Sequence, residues 1–364
     1  MIRFLPFILA RRTFRFSKNT YVRSARLAEL IRKEKKTPFE IDYRKKVECW
    51  RNGFLSESSF FYDWNKYNKR DFVTDIERFI YTPDINGVHS IIIDDKSLFR
   101  KVFTNILPTP KNICTINKRG QIREDTGQTV GLEDLLKEHS SFVSKLTCGG
   151  GGSSIRVYER KGKNWLINGR YQKKSVLLDS LRKLPPSIID EKVENSEYSK
   201  RINPFSLNTL RILTMIDPED GQPFIARAIH RFGTSRSAPA DNWTQGGVSS
   251  LVDKNTGALG LGATYPFDGK IQWHSVHPET KEKIEGVIVP NWKNIKEDLL
   301  SVAYRFSHVP YIGWDVVARN DGYIVIEGNS NTDINLLQIH GPLLESPRIR
   351  RFYKHHKALA PWRK

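Results

Sequence analysis

The chain has 364 residues, of which 38% are hydrophobic and 27% are charged, so its composition excludes wholesale disorder and allows one large domain or two lobes. Its net charge of +19 is concentrated at the ends, because residues 1–36 carry eleven Lys or Arg against two acids and residues 348–364 carry seven and no acid. A basic rim on a nearly neutral body favours an anionic surface, such as a membrane, as a partner, and we expect no specific nucleic acid.

Neither end of the sequence predicts export or a membrane span. The apolar run at residues 4–10 is far too short to cross a bilayer, and no small-residue cleavage pattern follows it. Three cysteines without close spacing provide neither a disulfide framework nor a zinc site, which is typical of a reducing cytoplasm. We therefore expect a cytoplasmic protein whose basic N-terminal helix either lies on the inner face of the cytoplasmic membrane or packs on the body.

The elements taken in chain order predict an α+β protein in four segments. Residues 1–86 form a basic, mostly helical N-terminal extension. Residues 87–186 form a small lobe, with strands at 88–93, 142–145 and 155–158 and helices at 97–103, 132–138 and 175–183. Residues 187–345 form a large lobe, with strands at 188–193, 209–216 and 224–231, a helix at 295–306 and a hairpin. Residues 346–364 form a basic tail.

A run of glycines follows the predicted strand that carries Lys145. Gly150, Gly151, Gly152 and Ser153 would let backbone N–H groups approach phosphate oxygens, and the lysine would add a point charge. The order differs from that of a Walker A loop, because here the lysine precedes the glycines. The run predicts a phosphate-binding loop, and the alternative is a flexible hairpin tip that binds nothing.

Three oxygen-bearing side chains lie on the predicted hairpin. Asp315 lies in one apolar strand, and Glu327 and Asn329 lie in the next strand, after an Asn-Asp-Gly turn. Glu327 directly follows an apolar strand, where a buried carboxylate requires a partner. Oxygen ligands suit Mg²⁺, which usually keeps nucleotide phosphates in its shell. The pattern predicts a magnesium site of an ATP-using enzyme, and the alternative is a turn cap with an exposed hairpin end.

Arginines interrupt two apolar strands of the predicted large lobe. Arg211 lies inside one strand, and Arg227 and Arg231 lie in the next. A guanidinium there is costly unless it meets a carboxylate or a phosphate, which it can bind with two parallel hydrogen bonds. An internal ion pair and a substrate contact both agree with this pattern. A polar loop at residues 241–247 follows, of the kind that closes over a substrate.

In this order the elements resemble the ATP-grasp ligases, from about residue 95 to about residue 338. The signatures at residues 206–211, 241–247, 277–292, 311–315 and 327–329 are most similar to the sugar-transfer-associated subgroup of bacterial polysaccharide gene clusters. The resemblance implies an ATP-grasp fold, in which two α+β lobes clasp ATP, preceded here by the basic helical N-terminal extension.

The resemblance also implies roles for individual residues. Lys96 and Lys145 would bind phosphates, and the segment Glu191, Lys192 and Val193 would be the adenine hinge. Asp315, Glu327 and Asn329 would bind Mg²⁺. Arg211, Arg231 and Asn242 would serve the reaction, the arginines by stabilising an acylphosphate and the tetrahedral species that follows it.

The activity that the resemblance implies is ATP-dependent carboxylate–amine ligation through an acylphosphate. The expected substrates are a sugar- or glycan-linked carboxylate and an amine or amino acid, in bacterial surface polysaccharide biosynthesis. Two alternatives stay open. A phosphotransferase on the same fold would phosphorylate a hydroxyl, and a non-catalytic polysaccharide assembly factor would bind nucleotide only structurally.

Overall fold

The structure is a computed structural model that describes residues 17–124, 126–149 and 155–363. Three helices come first: α1 (Ser17–Lys35), α2 (Tyr43–Arg51) and α3 (Ser58–Phe61). Short turns follow, 3-10 at Lys69–Asp71, Thr82–Asp84 and Gly87–Ser90 and π-helical at Glu77–Tyr81. The prediction of a helical N-terminal region is confirmed over these residues.

The segment predicted as an apolar strand at residues 88–93 is helical instead. Its 3-10 turn leads into α4 (Ile91–Asp94), and α5 (Lys96–Phe103) follows. A short apolar run does not distinguish a buried strand from a buried helix, and here Ile93 packs into the core of the second sheet. Asp95 fixes the start of α5, because its carboxylate accepts hydrogen bonds from the backbone N–H groups of Ser97 and Leu98.

The first sheet has seven antiparallel strands. They are β1 (Asn112–Ile116), β2 (Ile122–Arg123), β3 (Ser141–Leu146), β4 (Arg156–Lys161), β5 (Asn164–Ile167), β6 (Arg170–Gln172) and β7 (Ser187–Glu191), in the spatial order β2-β1-β7-β3-β4-β5-β6. The helices α6 (Leu132–Glu138) and α7 (Lys174–Arg182) bury leucines against Phe142 and Tyr158. Because β7 lies between β1 and β3, the first lobe extends to Glu191 and does not end at residue 186 as the sequence suggested.

The second sheet also has seven antiparallel strands. They are β8 (Leu210–Ile216), β9 (Pro223–Phe232), β10 (Val248–Val252), β11 (Leu259–Thr264), β12 (Trp273–His274), β13 (Tyr311–Arg319) and β14 (Gly322–Asn329), in the order β12-β11-β10-β9-β8-β13-β14. The remaining helices are α8 (Glu197–Ile202), α9 (Trp292–Arg305), α10 (Ile334–Gln338) and α11 (Pro347–His355), with 3-10 turns at Trp243–Gln245 and Pro361–Arg363.

Both chain ends pack on the second sheet. Phe61 and Phe72 from the N-terminal region and Phe352 from α11 share one core with Leu213 of β8 and Tyr311 of β13. Burial of these aromatic side chains is the main driving force that holds the ends on the sheet. The predicted boundaries at residues 86 and 346 therefore do not separate independent packing units.

The basic C-terminal segment is largely paired with acidic side chains of the body. Arg348 and Arg351 both contact Asp217, at 2.6 and 2.8 Å, and Arg350 contacts Asp71 at 2.6 Å. These carboxylates offset the positive charge locally, so the segment adds less to a basic surface than its sequence suggests. Over the described part of the chain, no helix is long and apolar enough to cross a membrane.

Candidate functional site

One rung of the second sheet brings together three of the predicted site residues. Arg211 on β8 is opposite Asp315 on β13, and Asp315 is opposite Glu327 on β14. Regular pairing continued from the hairpin turn would put Ile326 opposite Asp315, but a bulge shifts the register by one residue at this point. Since alternate residues face opposite sides of a sheet, the bulge places the Glu327 and Asp315 carboxylates on the same face.

Two guanidinium groups hold Asp315. Arg211 donates from Nε and Nη2 to the two Asp315 oxygens, the second bond measuring 3.0 Å, and Arg231 Nη2 donates to Oδ2 at 3.1 Å. Burial favours the neutral carboxyl, but the charges of both arginines outweigh it and lower the pKa of Asp315. The carboxylate in turn raises the pKa of Arg211 despite its burial. Both partners of the internal ion pair are therefore charged.

Arg231 is fixed from its other side by Thr209 and Asp241. Its Nε donates to Thr209 Oγ1 at 3.0 Å and lies 3.5 Å from an Asp241 oxygen. Asp241 accepts hydrogen bonds from the Thr209 backbone N–H at 2.9 Å and from its hydroxyl at 2.6 Å. Burial raises the pKa of Asp241. Charges of opposite sign thus alternate along Arg211, Asp315, Arg231 and Asp241, which fixes the orientation of both guanidinium groups.

Gly313 allows a second contact to Arg211. A Cβ atom at this position would lie 2.5 Å from Thr332 Cβ, so only glycine leaves room for Thr332 there. Thr332 is buried, and its hydroxyl accepts a hydrogen bond from Arg211 Nη1 at 2.7 Å. Each of the three nitrogens of the Arg211 guanidinium therefore has at least one partner, so this group is more a fixed structural charge than a mobile ligand.

Lys96 approaches the rung from helix α5, whose buried face packs in the core of the second sheet. It is the first residue of α5, its Nζ lies 3.4 Å from a Glu327 oxygen, and the same Nζ donates to the carbonyl oxygen of Gly149 at 2.9 Å. Its backbone N–H donates to the carbonyl oxygen of Thr147 at 2.8 Å. The start of α5 is thus joined to the segment that leads into the glycine run. Gly150, Gly151, Gly152 and Ser153 themselves lie outside the described residues.

Lys145 lies on β3 and is almost fully buried. Its Nζ is 3.9 Å from an Asp190 oxygen on β7, and Arg100 Nη2 donates to the same Asp190 oxygen at 2.6 Å. Burial, opposed by the charge of Asp190, lowers the pKa of Lys145, and the charges of Glu327 and Lys96 also act on it. Lys145 of the first sheet, Lys96 of α5 and the hairpin carboxylate therefore share one electrostatic environment.

These side chains fit a phosphate. Within the described residues, Arg100 Nη1 is buried without a hydrogen-bond partner, and Lys145 has no closer acceptor than Asp190. A buried donor without an acceptor is costly, so a phosphate oxygen would satisfy groups that the described chain leaves unpaired.

The hairpin side chains also fit Mg²⁺. Asn329 Nδ2 is 3.5 Å from the carbonyl oxygen of Gly313, and its Oδ1 accepts no hydrogen bond within the described residues. Three arginine N–H groups use three of the about four lone-pair sites of the Asp315 carboxylate, which leaves one on Oδ1. Glu327 would therefore be the main protein ligand. No group of three His, Cys, Asp or Glu forms a metal site by itself over residues 17–124, 126–149 and 155–363.

The other predicted residues lie around this centre. Glu191 ends β7, and Lys192 begins the connection between the two sheets, where its Nζ contacts Glu159 at 2.8 Å and Glu194 at 2.6 Å. Val193 is half-buried in the same connection. Asn242 caps the turn that follows it, because its Oδ1 accepts hydrogen bonds from the Thr244 N–H and hydroxyl. In this structure the Asn242 side chain thus has a local structural task.

Sequence reasoning missed Arg100, Asp190 and Thr332. Asp190 could have been found, because it interrupts the apolar strand of β7 just as Arg211 interrupts β8. Arg100 lies on the buried face of α5, where a lone cation is equally a signal. Thr332 gives no signal in the sequence, since its role depends on the space that Gly313 leaves.

A sequence profile of a known family covers this whole arrangement. The family described as sugar-transfer associated ATP-grasp matches residues 78–351, which contain both sheets, both lysines and the hairpin. The chain belongs to this family. It is therefore an ATP-grasp protein related to ligases, and its two sheets are the two lobes of that fold, with Lys96, Lys145 and Glu327 between them.

Solved structures show more distant similarity. The D-alanine–D-alanine ligase of Bacillus anthracis is 13% identical with a TM-score of 0.39, over 94% of this chain and 95% of that one. An N5-carboxyaminoimidazole ribonucleotide synthetase in an ADP complex is 10% identical with a TM-score of 0.39, over 66% of this chain and 45% of that one. A RiPP-associated ATP-grasp ligase of Chryseobacterium gregarium was solved with ADP and a leader and core peptide. It is 14% identical with a TM-score of 0.39, over 76% of this chain and 62% of that one.

The chain thus spans less than two thirds of the length of the last two proteins. No curated protein matches it.

Proposed function

We propose that the protein is an ATP-dependent carboxylate–amine ligase that activates a carboxylate as an acylphosphate. The observation that carries the proposal is the convergence of Lys96, Lys145 and Glu327 beside the Asp315 cluster, in a chain of the ATP-grasp family. Cations that bind phosphates, with carboxylates beside them that bind a metal, are what a nucleoside triphosphate and its metal require.

The chain's own residues would act mainly by position and charge. Lys96 and Lys145 bind phosphate oxygens, and Arg100 adds the N–H that lacks a partner in the described chain. Glu327, Asn329 and one lone pair of Asp315 would hold Mg²⁺, which would supply charge neutralisation to the phosphates. Such groups are fixed before the reaction, so little reorganisation is needed when the phosphoryl group moves.

Arg231 is the better placed arginine for the reacting carboxylate. Its Nε and Nη2 have partners in Thr209 and Asp315, whereas no hydrogen bond of its Nη1 occurs within the described residues. The substrate carboxylate attacks the γ-phosphorus, and an amine then displaces phosphate from the acylphosphate to give an amide. Arg231 would stabilise the negative charge on both species, and Arg211 would hold Asp315 in place.

For the substrates, we propose a uronic acid or another sugar-linked carboxylate, together with an amine. The support is the sugar-transfer association in the description of the family. We also propose a cytoplasmic location, with contact to an anionic membrane through the basic helix α1.

The test is ADP release from Mg·ATP in the presence of D-glucuronate or D-galacturonate with each common amino acid. We expect amine-dependent ADP release, and a product whose mass is the sum of both substrates minus one water. A phosphorylated sugar formed without any amine would show a phosphotransferase instead.

A matched pair of variants separates a catalyst from a scaffold. Glu327→Gln should abolish ADP release, whereas Glu345→Gln, the same change at an exposed position, should not alter it. If the wild-type protein binds Mg·ATP but releases no ADP with any pair of substrates, the ligase proposal is wrong. That result would favour the non-catalytic assembly factor, which binds nucleotide only structurally.

A further inference from the structure

A pocket of about 470 Å³ lies between helix α1 and the second lobe. Lys33 of α1 and Lys36, which directly follows the helix, line it together with the aromatic rings of Phe61, Trp243 and Tyr265. The volume is in the range that holds small organic ligands. Nothing in the nucleotide chemistry described above uses this pocket.

Two chain segments connect the pocket to the Asp315 cluster. Asp333 lines the pocket and directly follows Thr332, whose hydroxyl binds Arg211. Trp243 and Thr244 line it as well, and they follow Asp241, which lies 3.5 Å from Arg231. Because consecutive Cα atoms are about 3.8 Å apart, the pocket begins within one or two residues of the groups that would hold the reacting carboxylate.

Glu57 is the unusual group in the pocket. Its carboxylate makes no hydrogen bond and no ion pair with any residue that the structure describes, although the side chain is half-buried. Burial raises the pKa of Glu57 to about 7, with Asp75 and Glu34 raising it further and Arg78 and Lys33 opposing them. A carboxylate with these properties is suited to take a proton near neutral pH.

Cations face the same space. Arg78 contacts Asp333 at 2.9 Å, but its Nε is buried without a partner in the described chain. Lys33 lies over the ring of Phe79, 5.2 Å from its centroid, and neither Lys33 nor Lys36 has an ion-pair partner among the described residues. The lining thus combines a carboxylate with cationic groups whose N–H donors are only partly used within the described chain.

We propose that this pocket binds the amine substrate of the ligation, an amino acid whose ammonium group is bound and deprotonated by Glu57 and whose carboxylate is bound by Arg78, Lys33 and Lys36. This inference rests on the proposed ligase function and specifies its second substrate. The aromatic wall would contact the amino-acid side chain.

The proton balance is simple. The ammonium passes one proton to the Glu57 carboxylate, and the free amine then attacks the carbonyl carbon of the acylphosphate. The carbon–oxygen bond to phosphate breaks and the amide bond forms. The second amine proton leaves with the phosphate as HPO₄²⁻, and Glu57 returns its proton to water. No oxidant or further reactant is needed.

The test uses the full chain, Mg·ADP and an equimolar mixture of the twenty common amino acids. Saturation-transfer NMR reports which amino acids bind, and calorimetry reports the affinity for Mg·ADP. We expect at least one amino acid to bind wild type, and Glu57→Gln to weaken that binding about tenfold or more without changing the Mg·ADP affinity.

Glu40→Gln is the matched control, because Glu40 is exposed and has no partner in the described chain. It should bind like wild type. Lys33→Met, on the exposed face of α1, should weaken the binding of the same amino acid. Glu57→Asp should restore part of the amino-acid binding that is lost in Glu57→Gln. These variants keep the test valid if Glu57→Gln does not fold.

The outcomes distinguish the two proposals. Normal Mg·ADP binding without any amino-acid signal, or with a signal that Glu57→Gln and Lys33→Met leave unchanged, overturns the pocket assignment and leaves the ligase intact. Failure to bind Mg·ADP overturns the ligase proposal and this inference with it.

Discussion

Asp315 and Glu327 lie directly opposite each other on one hairpin, yet their surroundings differ. Asp315 receives three hydrogen bonds from two arginines and its side chain is 9% exposed. The Glu327 side chain is 20% exposed, and its one ion pair in the described chain is to Lys96 at the start of α5, at 3.4 Å. The two carboxylates at these paired positions therefore have different roles. Asp315 mainly holds the site together, and Glu327 remains available to a ligand.

The largest effect is expected when Asp315 loses one of its arginine partners. Arg211→Leu would leave a buried carboxylate with only Arg231, so we expect the free energy of unfolding to fall by about 3–5 kcal/mol. Urea denaturation measures it. Arg319→Leu is the control, since Arg319 pairs with Asp321 at an exposed turn and should cost less than about 1 kcal/mol. Equal losses in both variants would show that Asp315 is not a structural centre.

The opposite pattern is expected at Glu327. Glu327→Gln should lower ATP turnover about 100-fold or more, because a metal ligand is lost. Its free energy of unfolding should change by less than about 1 kcal/mol, since the pair with Lys96 is long and partly exposed. A steady-state assay and urea denaturation give the two values. A large loss of stability with normal turnover would reverse the assignment of the two carboxylates.

Gly313→Ala tests whether the hydrogen bond between Thr332 and Arg211 stabilises the site, and it changes no charge. The new methyl group would collide with Thr332 and disturb its hydrogen bond to Arg211, so we expect a loss of about 1–3 kcal/mol and slower turnover. Gly260→Ala, in β11 of the same sheet, is the control, because its Cβ would meet Leu251 at an ordinary 3.7 Å. Thermal or urea unfolding of the two variants should therefore differ clearly.

Glu57 is a third carboxylate for this comparison, and its side chain has no hydrogen-bond or ion-pair partner among the described residues. Because its pKa is raised to about 7 in the fold, the folded protein binds an extra proton between about pH 4.5 and 7. Stability must then fall as pH rises through this window. In Glu57→Gln this loss is absent, so between pH 5 and pH 8 the variant should gain about 1–2 kcal/mol relative to wild type in urea denaturation. An identical pH dependence in both proteins would contradict the raised pKa.

Much of the second lobe could be predicted from sequence, because its signals are local. The apolar strands around Arg211 and Arg231 and the turn before Gly322 are present as predicted. In the first lobe, helix α6 also has the predicted bounds. The arginine pattern left two interpretations open, and in the structure Arg211 meets an internal carboxylate. Sequence reasoning could not decide this, since it depends on strand order.

The rest depends on contacts between distant segments. The bulge at Ile326 is not visible in the sequence, although it decides which face Glu327 occupies. The prediction of a strand at residues 88–93 was wrong. The apolar residues of this segment pack as a helix against the second sheet, whose strands begin more than 100 residues further along the chain. The pocket beneath α1 is likewise formed by segments that are far apart in the chain.

Arg100 joins the two lobes at one point, since its Nη2 lies 2.6 Å from Asp190 of the first sheet and 3.4 Å from the carbonyl oxygen of Ile326 in the second. Both charged side chains are almost fully buried, and Arg100 lies on α5, which packs in the core of the second sheet, so the ion pair ties the first sheet to the second. Swinging one lobe about Arg100 preserves the contact. We therefore expect a pivot at this arginine, with the outer strands β6 and β12 travelling farthest while the phosphate end of the cleft keeps its geometry.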